Sequence, residues 1–144
     1  TTLSVGAAIP EELEAIINVS ERDQPLDAAE IAVFNRLEAH LTDKLATDLC
    51  SQCYQCLPCP ENINIPEVLR LRNLAVAYEM TDFGQYRYRM LENAGHWFPG
   101  RKANNCTECG DCLPRCPEKL PIPQLLFNTH ELLNGPPQRR LWSS

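Results

Sequence analysis

The sequence predicts a mainly α-helical fold of several short helices built around two cysteine-rich loops. Three observations carry that expectation. Between the loops, apolar residues recur at three- and four-residue steps, the period of a helix with one buried face. Twelve prolines punctuate the 144 residues, and Pro10, Pro66 and Pro123 each precede such a pattern, where proline suits the first helical position. All eight cysteines fall in two compact blocks, CSQCYQCLPCP and CTECGDCLPRCP.

Taken in order, TTLSVG (1–6) is short, apolar and β-favouring, and predicts a buried strand ending at a turn. Pro10 opens a helix to about Ser20, with Glu11, Glu12 and Glu14 near its positive end and Leu13, Ile16 and Ile17 on one side. After a polar loop, Asp27 and Glu30 have the spacing of a capping box, and Leu26 and Ile31 that of a hydrophobic staple. Ile31, Phe34, Leu37, Leu41 and Leu45 then mark an amphipathic helix running into the first block.

Past that block, Pro66 and Glu67 start a helix with a broad apolar face reaching about Met80. Gly84 or a residue near it is expected to break it, and a further helix is expected over 85–93 with Tyr86, Met90 and Leu91 inward. HWFPGRKANN is a loop into the second block. Pro123 opens the last helix, which Gly135, Pro136 and Pro137 stop; residues 136–144 form a tail without periodicity, expected to fray.

Composition bounds the class. A hydrophobic fraction of 44% allows a modest core in one small domain with an appendage. No apolar run approaches the roughly 18–20 residues of a membrane-spanning helix, and the N-terminus lacks the marks of a signal peptide. Without an initiator Met, the chain is expected to be a piece of a longer one. The net charge of −6 is uneven: residues 1–49 hold ten acids against three bases, and 50–144 nine against ten. That balance argues against nucleic acid as a partner.

The cysteine blocks carry the chemistry. Cys50, Cys53 and Cys56 form a C-x2-C-x2-C triplet, followed by Cys59 and Pro60. Cys106, Cys109 and Cys112 form another, followed by Cys116 and Pro117. Such a triplet with a further Cys-Pro is the run of two-cluster ferredoxins, in which the last cysteine ligates the other cluster. The expected assignment is therefore crossed: Cys50, Cys53, Cys56 and Cys116 on one 4Fe–4S cluster, and Cys106, Cys109, Cys112 and Cys59 on the other. Each cluster with four thiolates adds about −2 of charge. Zinc also fills four-cysteine sites, but it needs only two pairs and leaves the triplet unexplained. Disulfides are the remaining alternative. Electron transfer is the functional expectation; a metal-stapled structural domain without redox cycling is the alternative.

The blocks are also an internal repeat. The two triplets lie 56 residues apart, and beyond one inserted residue Cys59, Pro60, Ile65, Pro66 and Leu69 match Cys116, Pro117, Ile122, Pro123 and Leu126. Two block-plus-helix copies imply a pseudo-twofold unit, as crossed ligation requires. Elsewhere, His40 and His130 have no catalytic companion, and His96, Trp97 and Phe98 read as packing or as a cluster shield. Six bases from Arg70 to Lys102 offer a docking face for an acidic redox partner or an ordinary solvated surface.

CSQCYQCLPCPENINIP resembles the cluster motif in the C-terminal extension of iron–sulfur aldo/keto reductases, where the last cysteine also follows a two-residue spacer. The resemblance implies an α-helical ferredoxin fold between the blocks. Upstream, TTLSVGAAIPEELEAIINVSE and PLDAAEIAVFNRL resemble the last strand and helices of that family's (β/α)8 barrel. The implied organisation is a barrel remnant over 1–45, a dicluster domain over 46–135 and the tail. The implied partner is a redox protein or the upstream barrel of the same parent, in the cytoplasm. The family's catalytic Tyr, Lys, Asp and His come from strands absent here, so no catalytic residue is carried over. Ala15 and Ile16 occupy the positions of the family's acidic–Asn pair near its nicotinamide cofactor. That departure argues against NAD(P) binding.

Overall fold

The computed structural model describes residues 4–22 and 24–135. The described chain is helical: α1 (Pro10–Ser20), α2 (Ala28–Leu45), α3 (Ile65–Ala77), α4 (Thr81–Tyr88) and α5 (Ile122–Leu133), with short 3-10 turns at Ala46–Asp48, Gly95–Trp97 and Ala103–Asn105. Of the strand expected over 1–6, residues 1–3 lie outside the described residues. Residues 4–6 are exposed and irregular, and no strand occurs among the described residues. A strand must hand its N–H and C=O groups to a neighbouring strand, and none is present there to take them. The tail expected over 136–144 also lies outside the described residues.

The chain divides into two compact units, Thr1–Asn35 and Arg36–Ser144. In the first, Pro10 occupies the start of α1, and Glu11 and Glu12 stand in its first turn. No residue of α1 is buried: Leu13 and Ile17 on its apolar side remain about half exposed, as do Ile31 and Phe34 on the first turns of α2. The capping box forms as expected. Glu30 N–H donates to Asp27 Oδ1 at 2.9 Å, and Asp27 N–H donates to the Glu30 carboxylate at 2.9 Å.

In the second unit, α3, α4 and α5 pack on one another, and α5 also packs on the Ala103–Asn105 turn. Ile65, Val68, Leu69 and Leu71 of α3 meet Ile122, Leu125, Leu126 and Leu133 of α5 in one core, closed by Tyr88, Leu91 and Phe98. Asn64 caps α3, its side chain accepting from Glu67 N–H at 3.4 Å. The same side chain donates to Pro99 O at 3.1 Å. Gly100 lies against it at φ 105°, where an added Cβ would stand 2.6 Å from Asn64 Cβ. Only glycine allows this approach, and it lets Arg101 N–H reach Asn62 O at 2.9 Å.

Gly84 corrects the expected break. It lies inside α4, and the chain turns earlier, where Glu79 takes φ 57° between α3 and α4. A Cβ on Gly84 would sit 2.9 Å from Leu133 Cδ2, so this glycine allows α4 and α5 to approach closely. The residue facing inward is correspondingly Tyr88, fully buried, rather than Tyr86. Leu91 is buried as expected.

Tyr88 joins three elements. Its hydroxyl accepts from Ala103 N–H at 2.9 Å and stands 2.8 Å from His130 Nδ1, within reach to donate its own proton. In the neutral ring that accepts from this hydroxyl, the proton sits on Nε2. Burial chiefly holds His130 below its ordinary pKa; Glu131 opposes that shift, Lys102 adds to it and Glu92 opposes it. The unfolded chain thus protonates this ring at higher pH than the fold does. The contribution of His130 is complete above about pH 6.5 and declines as pH falls below it. Urea midpoints measured from pH 7.5 down to 5 should fall, and the fall should be shallower in His130→Gln. Parallel curves would contradict the linkage.

Candidate metal centres

Each cysteine block is an extended loop whose backbone repeats the other's. Gln52 and Tyr54 take φ of 57° and 63°; their counterparts Glu108 and Gly110 take 57° and 82°. Asn62 and Lys119, which follow the last cysteine of each block, match at 55° and 53°. Left-handed residues bend each loop, and the backbone amide of Gln52 acts on Cys50 while those of Cys56 and Cys112 act on their own sulfurs. The hydrogen bonds repeat as well: Leu57 N–H to Tyr54 O at 3.1 Å and Leu113 N–H to Gly110 O at 3.0 Å.

The loops are held by helices from both copies. On the first side, Asn73 of α3 donates to Cys50 O at 3.0 Å, and Arg72 donates to Asp48 O at 3.2 Å and to its carboxylate at 2.9 Å. On the second side the position equivalent to Asn73 is His130, which acts through Tyr88 on the turn leading to Cys106.

Two hollows result. One is lined by Cys50, Cys53 and Cys56 of the first block and Cys116 of the second; the other by Cys106, Cys109 and Cys112 with Cys59. Their remaining walls follow the repeat: Pro66, Leu69, Glu118 and Ile122 around the first, and Pro123, Leu126, Glu61 and Ile65 around the second. Each hollow is thus lined by three cysteines of one block and the last cysteine of the other. Cys56 and Cys112 are buried, at 8% and 9% exposure, while Cys53 and Cys109 are exposed at the outer rim.

Electrostatics gives the same groupings. Burial is the first cause raising the Cys50 thiol above its ordinary range, with Cys116 and Cys53 adding to it. Burial likewise raises Cys112, with Cys106, Cys109 and Cys59 adding to it. Cys56 is pushed up to about 11, by burial and then by Cys50, with a further contribution from Cys112. Four crowded thiolates are unfavourable without positive charge at their centre, so the donor set fits a cationic core. No three or more His, Cys, Asp or Glu side chains among the described residues are arranged around a single metal ion. The quartets instead ring hollows. A lone zinc takes four sulfurs at about 2.3 Å each, a grouping absent among the described residues.

The other residues weighed from sequence take structural places. His40 Nε2 bonds Ala77 O at 2.8 Å. Phe98 enters the core, under the Arg87 guanidinium at 4.6 Å, and Trp97 is 80% exposed. Of the six bases, Arg70 pairs with Glu67, Arg72 with Asp48, and Arg101 with Glu61 and Glu92. These internal pairs favour a structural use of the bases over a docking face. Sequence reasoning assigned no part at the sites to Asn73 of α3, to Tyr88 behind the turn before Cys106, or to Arg115 within the second block. The one signal available for Arg115 was its place as the inserted residue of the second block.

Two crossed cysteine quartets on a helical pseudo-twofold frame define a ferredoxin-like, two-cluster iron–sulfur protein. A family model for the 4Fe-4S dicluster domain matches residues 49–120, half of the chain, and the chain belongs to that family. Its cofactors are two 4Fe–4S clusters. No curated protein and no solved structure matches it. No described helix is long and apolar enough to cross a membrane.

Proposed function

We propose that this chain is a single-electron transfer module in which Cys50, Cys53, Cys56 and Cys116 hold one cluster and Cys59, Cys106, Cys109 and Cys112 hold the other. The observation that carries the proposal is the crossing of the quartets around two hollows whose buried cysteines, Cys56 and Cys112, are electrostatic neighbours. The protein supplies amides aimed at sulfur, walls of proline and leucine that exclude water, and outer cysteines at the surface where a partner can approach. Hydrogen bonds to sulfur and solvent exposure are the levers that set cluster potentials.

The finer reading places the module, residues 46–135, in the cytoplasm, as part of an aldo/keto reductase-like oxidoreductase with residues 1–45 as the end of its barrel. Two things support it: the resemblance of both segments to that family, and the apolar residues of α1 and early α2 that stay exposed in the first unit. The barrel, and with it the substrate chemistry, would lie upstream in the parent.

Anaerobic reconstitution tests the module: about eight irons and eight sulfides per chain are expected, with absorption that bleaches and recovers on reduction and reoxidation. Two tightly bound zincs and no redox response would sink it; full cluster loading without reversible reduction would leave a structural staple. The source reading frame tests the parent. A barrel coding sequence upstream is expected, and a start codon just before Thr1 would refute that placement.

A further inference from the structure

The repeat is broken at one residue on the wall of one site. Arg115 is the insertion that gives the second block three residues before its last cysteine, where the first block has two. Its side chain turns back across the pseudo-twofold. Nε donates to Asp111 O at 2.7 Å and Nη1 donates to Pro58 O at 3.1 Å, one residue before Cys59. The half-buried guanidinium is thereby pinned to both blocks, and it lines the hollow of Cys59, Cys106, Cys109 and Cys112. The hollow of Cys50, Cys53, Cys56 and Cys116 has no counterpart among its lining residues.

The acidic walls widen the difference. Glu118 lines the first hollow, and its charge acts on Cys50. Its repeat mate Glu61 lines the second hollow but is paired with Arg101 at 3.5 Å. Two other acids on the second block, Glu108 and Asp111, are exposed like Glu118 but line neither hollow. On the first side, Arg70 is neutralised by Glu67. One wall therefore carries an exposed acid with no ion-pair partner among the described residues, and the other a cation held by two backbone carbonyls.

We propose that Arg115 makes the two clusters unequal, so that the one held by Cys59, Cys106, Cys109 and Cys112 has the higher reduction potential and takes the first electron. Each reduction adds one negative charge to a cluster. A cation clamped beside it in a partly desolvated wall favours the reduced form, and Glu118 disfavours it at the other site. The inference rests on the crossed assignment above and adds to it a direction: electrons run downhill from the first quartet to the second.

The test is a dithionite titration of the reconstituted protein followed by electron paramagnetic resonance. Wild type should show two separate reduction steps. Arg115→Gln should move only the easier step, weakening that reduction by about tenfold, ~59 mV for a one-electron couple. Glu118→Gln should move only the harder step, in the opposite sense. Cys109→Ser, which removes a ligand of the second site, should keep only the harder step. The exposed Lys119→Gln should shift neither. Equal shifts of both steps in Arg115→Gln, no shift, or a shift of the harder step alone would overturn the proposal while leaving the two-cluster reading intact. A chain that loads no reducible cluster overturns both.

Discussion

Replacing Cys59 together with Cys109 is expected to leave about four irons per chain, whereas replacing Cys59 together with Cys53 should leave almost none. The expectation inverts what the sequence order suggests. Cys59 and Cys53 belong to one block, six residues apart, yet they face different hollows. Cys59 and Cys109 belong to different blocks and line the same one. Once one ligand of a site is gone, losing a second from that site removes little more, while losing one from the other site adds a full second loss. This is the logic of a double-mutant cycle, in which residues sharing one partner are non-additive and independent ones add. Each single serine variant should hold about half the wild-type iron. Iron and sulfide analysis, with circular dichroism to confirm that helix content persists, reads the outcome. Equal iron in the two double variants would refute the crossed assignment. Because metals commonly brace domains this small, a drop in thermal stability should accompany each lost site.

Tyr88→Phe should destabilise the fold by about 2–4 kcal/mol, a large effect for the removal of one oxygen. The hydroxyl satisfies Ala103 N–H and bonds His130 Nδ1, inside a residue with no exposed surface. Its loss strands the buried Ala103 N–H, costing about 1–3 kcal/mol, and takes the partner of the half-buried His130 Nδ1 at a smaller cost, and phenylalanine fills the space too well for water to replace it. Burial raises the phenol to about 12, so the hydroxyl keeps its proton, and the donor role, across the usual pH range. The Ala103–Asn105 turn leads directly into Cys106, so the weakened anchor should show first as faster chelator extraction of iron from the second site. Denaturant midpoints and chelation kinetics measure the two effects. A variant as stable as wild type, with iron released equally from both sites, would contradict this account of Tyr88.

The metal sites were legible because their information is local. A triplet at x2 spacing brings three thiols to one point whatever surrounds it, and the 56-residue repeat implied the partner that completes each quartet. The helix starts were legible for a related reason: Asp27 with Glu30, and Pro10, Pro66 and Pro123, act within a single turn. Gly84 was misread because a glycine in a helical pattern means either a break or a close approach, and the choice depends on Leu133, 49 residues away. Tyr88 escaped notice because the register of α4 follows from where α3 ends, at the left-handed Glu79. The strand expected at the N-terminus failed over residues 4–6 because β-structure needs a partner as well as a propensity.

By itself the sequence determined two sets of four cysteines for two clusters and implied their crossed pairing, since these follow from short-range spacing repeated twice. Tertiary structure alone decided what surrounds each site: Asn73 on the Cys50 carbonyl, Tyr88 and His130 behind Cys106, and Arg115 on one wall opposite Glu118 on the other. Ligand geometry is a property of a few bonded neighbours, whereas the field at a cluster sums over side chains that only packing brings near. The two copies therefore read as equals along the chain and become electrostatically distinct in the folded molecule.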